Sequence, residues 1–454
     1  MYIRLAEGIE NIGKKDVVWS YLATFFTVGA GVILLPFMSY KFSSEIMGIW
    51  VIFQTINQLV ILLDMGFRPS FARNISYVFS GVKHLQTVGI EDTGDYDVDY
   101  SLLNGTLKAM RRFYSWMALA TLFLLGIVGT IYILYVLEKF NGDRTDIIIA
   151  WVLQICINCY NLYTLYYDAL LTGKGYIKRA QQINIIGQSL YLLLAIGLVY
   201  AGLGLTAIVA SQLLSIILRR ILSYRVFFTH EMKAKLAIAG SKSANEILKA
   251  ISPNSIKSGL TSLGGFLVNK SAVFISSAFL PLAVTASYGI TLQVIDILCR
   301  CSTVMYVALL PKLAQYRVER NTDRLKKDYE YCVISLLVIF LIGGAVFVTL
   351  GNPVLELINS QTYFLPVPML CLLLFFYCLE ENHIVAAGFI MADNKIPFFI
   401  PSLLSGAATI ILLYLFVGVL NWGVWGMILA PGLAQLSYQN WKWPSVVIKE
   451  FYKQ

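Results

Sequence analysis

The stretch 331–350, YCVISLLVIFLIGGAVFVTL, carries no charged residue over its whole length. Twenty apolar residues wound as a helix reach ~30 Å, the thickness of a bilayer's hydrocarbon core. Strands of a membrane barrel would instead alternate in polarity over about ten residues, and this stretch does not. Similar runs begin near Trp19 and Trp116. Hydrophobic residues make up 58% of the 454 positions and charged residues only 13%, about half the charged share of a soluble domain. Mean hydropathy is +0.70. The sequence therefore predicts an all-α polytopic membrane protein with about 12 transmembrane helices. The spans fall near 17–40, 46–66, 113–137, 148–171, 180–201, 204–226, 255–280, 283–310, 329–350, 363–391, 396–418 and 421–441.

The first apolar run is too long for the h-region of a secretory signal and lacks its small-residue exit, so it reads as the first span. The preceding residues 2–12 alternate charge and bulk as a surface helix would. Placing the N-terminus inside puts 30 of the 35 Lys and Arg residues in inner segments and three in outer ones. That bias orients both termini toward the cytoplasm. The net charge of +9 is then accounted for by this bias and by contact with anionic lipid, without a nucleic-acid partner. The Lys-, Ser- and Ala-rich connection 227–254 separates an N-terminal six-helix bundle, 1–226, from a C-terminal one, 255–454, which ends in a short cytoplasmic tail. Six is even, so the halves enter with equal polarity, as parallel repeats do.

No cofactor or metal site is expected. Cys156-x-x-Cys159 sits in an apolar helix with no second pair, and packing thiols are the simpler reading of all seven cysteines. Asp95-x-Asp97-x-Asp99 opens like a calcium loop, but Tyr100 stands where the turn needs Gly and Thr106 where it needs Glu.

Polar residues inside the spans form stripes at helical spacing: Gln54, Asn57, Gln58 and Asp64; Gln154, Asn158, Asn161 and Asp168; Gln181, Asn184 and Gln188; Ser258, Ser262 and Asn269; Gln293, Asp296, Arg300 and Thr303. One stripe alone is readily interhelical glue. Five stripes shared by both halves favour a common hydrated cavity. Charges at membrane depth cost about 2.5–3.5 kcal/mol each at a helix centre and point to function. Lys270 has no acid in its own helix, which suggests an anionic ligand or a partner from another helix. Asp296 and Arg300, four apart, could neutralise each other. Glu380 and Glu381 point about 100° apart, so at most one shares a site with Lys270. Glu380 and His383, three apart, form a candidate proton-responsive pair. Asp64 and Asp168, near the inner ends of their spans, read first as charges that cap structure.

The stretch Gly48-Ile49-Trp50-Val51-Ile52-Phe53, followed by Leu63-Asp64-Met65-Gly66-Phe67-Arg68-Pro69-Ser70 and Arg73-Asn74, resembles the second-span signature of O-unit flippases (Wzx-type). These belong to the multidrug/oligosaccharidyl-lipid/polysaccharide exporter superfamily. Leu171-Thr172-Gly173-Lys174-Gly175, Ser258-Gly259, Phe274-Ile275-Ser276 and Tyr288 are also similar. The resemblance implies two six-helix bundles around a central cavity that opens alternately to each side. It implies export of an undecaprenyl-pyrophosphate-linked oligosaccharide (an O-antigen, capsule or exopolysaccharide unit), with glycan polymerase machinery as a further partner. The first span departs from the pattern in holding no basic residue, Lys14 and Lys15 both lying before it. The expected substrate-binding residues are Lys270, Arg300, Asp296, Asn269, Gln293, Gln54, Asn57 and Asn158. Asp64, Arg68, Asp168, Glu380, Glu381 and His383 are candidates for gating or ion coupling. The alternative within the superfamily is a cation-coupled multidrug antiporter, which would favour acidic and aromatic sites. A membrane glycosyltransferase would need a large outer loop with catalytic side chains, and every expected outer loop is short, which argues against an enzyme.

Overall fold

The computed structural model describes residues 14–83, 97–307, 309, 313, 321–391 and 397–452. The surface helix expected at 2–12 and most of the acidic run 91–99 lie outside the described residues. Within the described residues the chain is helical and contains no strand. The elements are α1 (Lys14–Lys41), α2 (Ser44–Leu62), α3 (Phe67–Phe79), α4 (Tyr100–Phe123), α5 (Thr130–Leu137), α6 (Arg144–Tyr163), α7 (Tyr166–Gly173), α8 (Ile177–Tyr200) and α9 (Leu205–Phe227). They continue with α10 (His230–Ile238), α11 (Ala244–Phe279), α12 (Leu282–Ser302), α13 (Thr322–Leu357), α14 (Val367–Met391), α15 (Phe399–Leu413), α16 (Val424–Leu436) and α17 (Gln439–Tyr452). π-helical segments Leu124–Gly129 and Tyr414–Val419 join α4 to α5 and extend α15. Among the described residues, nine helical stretches are long and apolar enough to cross a membrane. With α1, α11 and α16 in the remaining expected places, the arrangement is that of a polytopic protein of about twelve spans.

Burial sorts these spans by role. About 56% of the apolar window is buried in both α2 and α12, against 17% in the α4–α5 stretch and 22% in α13. Spans two and eight are thus interior helices, and spans three and nine present their apolar sides outward.

Local chemistry sets the breaks. Met65 and Gly66 both take positive φ, 48° and 72°, a turn that needs Gly at one of the two positions. It redirects the chain from α2 into α3, where the sequence suggested only a connection. The Asp64 carboxylate accepts from the Arg68 backbone N–H at 3.1 Å, covering the exposed donors of the first turn. Gly173 lies flat on α3, where a Cβ would run into Ala72 O and the Ile75 side chain. Asp99 caps α4 through the Ser101 and Leu102 N–H groups at 2.9 and 3.0 Å. This starts the third span at residue 100, thirteen residues earlier than the hydropathy boundary of 113. Asp146 of α6 accepts from Leu205 N at 2.7 Å and Thr206 N at 3.1 Å, capping the start of α9.

Two compact units emerge: Met1–Leu34 with Ile56–Gly259, and Leu35–Thr55 with Leu260–Gln454. The connection 227–254 belongs wholly to the first and is no bare tether, since it forms α10 and the opening turns of α11. Lys242 pairs with Asp99 at 2.8 Å, its backbone N–H donates to Ser101 O at 3.1 Å, and Arg112 donates to Asn245 at 2.7 Å. In the second unit the segment after α13 folds over the α1–α2 turn, with Gln361 N donating to Ser39 O at 2.7 Å. The expected C-terminal tail is helix α17, whose Trp443, Val447 and Phe451 are buried in a cluster with Tyr329 and Phe389. All seven cysteines are free thiols.

Candidate functional site

In the second unit the charges at membrane depth form two groups. Lys270 Nζ of α11 donates to Asp296 Oδ2 of α12 at 2.7 Å. Its side chain is 14% exposed and that of Asp296 35%. This corrects the expected Asp296–Arg300 pairing: the carboxylate is taken by a neighbouring helix, and Arg300 is exposed. No hydrogen bond or ion pair joins the Arg300 guanidinium to another group among the described residues. Glu381 of α14 lies beside the Cys299 thiol of α12, on the side of Asp296. Gln293 is half-buried one turn before Asp296.

The second group surrounds Glu380, buried to 8% exposure. Gln435 Nε2 of α16 donates to its two oxygens at 2.9 and 2.8 Å, and His383 Nδ1 is 3.4 Å away. Glu380, Gln435, Asn269, Asn440 and Tyr377 line a cavity of about 30 Å³, room for a water or two. The Asn440 amide is buried with neither polar atom hydrogen-bonded among the described residues. Asn269 also donates to Gly265 O at 3.1 Å within its own helix. So the adjacent carboxylates do diverge, Glu380 toward α16 and Glu381 toward α12. Gln54 belongs to this second unit by chain position and is half-buried.

In the first unit the polar stripes meet as contacts between helices. Gln154 of α6 donates to Asn57 of α2, while Asn158 turns back within α6 and donates to Gln154 O at 2.8 Å. Asp64 is buried to 7% exposure and accepts from Tyr114 Oη at 2.6 Å as well as capping α3. Asp168 accepts from Arg220 Nη1 at 2.6 Å, and Arg220 Nη2 donates to Asn161 at 2.9 Å. Arg68 is exposed on the first turn of α3 and borders the same cavity as Asp168.

Sequence reasoning missed Arg219, Arg220, Tyr114, Gln435 and Asn440. The two arginines fall inside the span expected at 204–226. The signal was two consecutive charges within an apolar helix.

This architecture is shared with transporters of the MOP superfamily. One solved structure is described as the inward-facing conformation of a multidrug resistance MATE family transporter, with TM-score 0.62, 15% identity, and 97% of this chain and 100% of that one covered. Another is the lipid II flippase MurJ in an inward closed conformation, with TM-score 0.64, 13% identity, and 95% and 87% covered. A third is a MOP superfamily transporter from Pyrococcus furiosus whose description reports reverse polarity of the binding pocket, with TM-score 0.56 and 15% identity over 97% and 98%. No protein-family model matches the chain, and no curated protein matches it. At these identities the likeness establishes the fold, a polytopic transporter fold common to lipid flippases and multidrug transporters.

Proposed function

We propose that the chain flips an undecaprenyl-pyrophosphate-linked oligosaccharide from the inner to the outer leaflet of a bacterial plasma membrane by alternating access. The halves 1–226 and 255–454 would reverse the opening, with both termini cytoplasmic. The observation that carries this reading is the set of bases at membrane depth on α11 and α12: Lys270 held against Asp296, and an exposed Arg300 four residues on. A pyrophosphate in a low-dielectric setting requires cations. The sugars require amides such as Gln293, Asn269, Gln54, Asn57 and Asn158, and the polyprenyl tail can remain in lipid. The fold shared with a lipid II flippase supports the same substrate class.

The antiporter reading is favoured by one observation, the buried Glu380 held by Gln435 beside His383, a carboxylate suited to exchanging a cation. The two readings separate in vesicles containing the purified protein. A fluorescent polyprenyl-pyrophosphate oligosaccharide should become accessible to an impermeant quencher outside. Extrusion of a cationic dye with no movement of the lipid would overturn the flippase reading and establish the antiporter.

A further inference from the structure

A cavity of about 170 Å³ lies among α3, α7, α8 and α9 in the first unit. That is roughly ten times the ~10–15 Å³ that one water occupies by the same measure. Arg68, Arg219, Arg220, Asp168, Gln181 and Asn184 line it, so three guanidiniums face a single carboxylate. One oxygen of that carboxylate, Asp168 Oδ1, accepts from Arg220 at 2.6 Å. Arg219 makes no hydrogen bond or ion pair among the described residues, and its Nε is buried. The Arg220 side chain is 7% exposed, and its Nε is likewise buried without a partner.

A guanidinium that is half-buried with its Nε cut off from solvent and no anion bonded to it is costly, so its placement needs a cause. The helix geometry supplies one. Gly187 of α8 has no side chain where the Arg219 stem crosses, and a Cβ there would strike Cγ and Cδ. Ser215 Oγ donates to Gly187 O at 2.7 Å and holds the two helices at that distance. Arg219 is thus channelled along α8 into the cavity rather than free to extend toward the bilayer surface. It stands eight residues before the end of α9, ~12 Å along the axis. With the termini inside, that is the inner-leaflet end of the bundle.

We propose that this cavity is a phosphate-binding site, taking the head group of an anionic lipid through Arg219 and Arg68, with Gln181 and Asn184 as amide donors. Guanidinium forks match phosphate oxygens in pairs. The proposal deepens the flippase reading by naming an inner-leaflet docking point distinct from Lys270, and it rests on that reading only for the substrate's pyrophosphate. A bulk phospholipid presents the same chemistry.

The test is binding of inorganic pyrophosphate to the purified full-length protein in neutral detergent, followed by calorimetry. Arg219→Gln should weaken binding about tenfold or more, the loss expected for a charge-assisted hydrogen bond. Asn184→Asp, at an exposed rim position, should weaken it comparably without disturbing the interior, and serves if Arg219→Gln fails to fold. In the background Lys270→Ala/Asp296→Asn, which removes the other proposed pyrophosphate contact, adding Arg219→Gln should still cost the same factor. Competition identifies the occupant. Displacement of pyrophosphate by polyprenyl pyrophosphate but not by phosphatidylglycerol assigns the substrate head group, and displacement by phosphatidylglycerol assigns bilayer lipid. No binding, or binding unaffected by both Arg219→Gln and Asn184→Asp, overturns the site. Binding that persists in a protein unable to flip lipid would sink the flippase reading and leave the site standing.

Discussion

Lys270 and Arg219 are both bases set inside apolar helices, yet they are handled in opposite ways. Lys270 is matched by a carboxylate from the next helix at 2.7 Å, whereas Arg219 is steered past Gly187 into a cavity whose one carboxylate, Asp168, is paired with Arg220. A matched pair can change partners when a ligand arrives, because the protein supplies the anion in the interval. An unmatched base must be completed by something from outside. The difference teaches that depth alone does not mark a ligand site in a membrane protein; the state of the nearest counter-charge does.

The largest effect should come from breaking the matched pair. Lys270→Ala strands the Asp296 carboxylate, which is 35% exposed, and should lower folded yield, since an orphaned charged group costs about 1–3 kcal/mol or more. Lys270→Ala/Asp296→Asn removes both charges and should restore the protein to the membrane while flipping falls at least about tenfold. Membrane levels quantified beside flipping rates separate the two effects. Normal flipping by the well-expressed double variant would return the pair to a purely structural role.

A smaller and opposite effect is expected in the first unit. Asp168→Asn releases Arg220 from its ion pair and raises the positive excess of the cavity. Pyrophosphate affinity should then rise severalfold, the scale of a partly screened charge at close range, and calorimetry reads it directly. A fall in affinity would mean that Asp168 serves the ligand by holding Arg220 in position.

Much of this was legible in the sequence because hydropathy is local. A run such as 331–350 declares its span without knowledge of any neighbour, and the expected spans fall on the observed helices. The boundaries that failed were those set by caps. Asp99 starts its helix well before the apolar run, and the Met65–Gly66 turn opens α3 in a stretch that reads as loop. The packing of the C-terminal segment was illegible for another reason: Trp443, Val447 and Phe451 share a face, but only the cluster around Tyr329 and Phe389 says that the face is covered. Partners across helices were the hardest to read. Spacing of four made Arg300 the natural companion of Asp296, and no one-dimensional rule points from residue 270 to residue 296. Glu380 and Glu381 could be said to diverge, but not that Gln435 would receive the first and Cys299 the second. Gln154 and Asn57 were visible as stripes, and their meeting needed the fold.

The smallest expected effect concerns a pair that lies outside the spans. Asp99 is held by Lys242 Nζ, by the Ser101 hydroxyl and by the Leu102 N–H. Burial alone would raise its pKa. The hydrogen bonds and the nearby ammonium outweigh burial and keep the carboxyl well below the usual carboxylate range. A carboxyl depressed in the folded state stabilises it fully above the unfolded value of ~3.9 and progressively less as pH falls below that. The Asp99–Lys242 pair should therefore hold the 239–247 segment against α4 throughout the neutral range and weaken below about pH 4. Hydrogen exchange of those amides, corrected for the intrinsic pH dependence, should show protection falling across that window. Asp99→Asn should lower protection about fivefold at neutral pH, as loss of ~1 kcal/mol from a partly exposed pair requires. It should also abolish the change below pH 4, because no proton is left to bind. Lys270 gives the contrast: its pair lies at membrane depth, so the same loss of charge there should register in transport and not merely in local opening. Equal protection in Asp99→Asn and the parent would mean that the backbone bond from Lys242 N to Ser101 O holds the segment by itself.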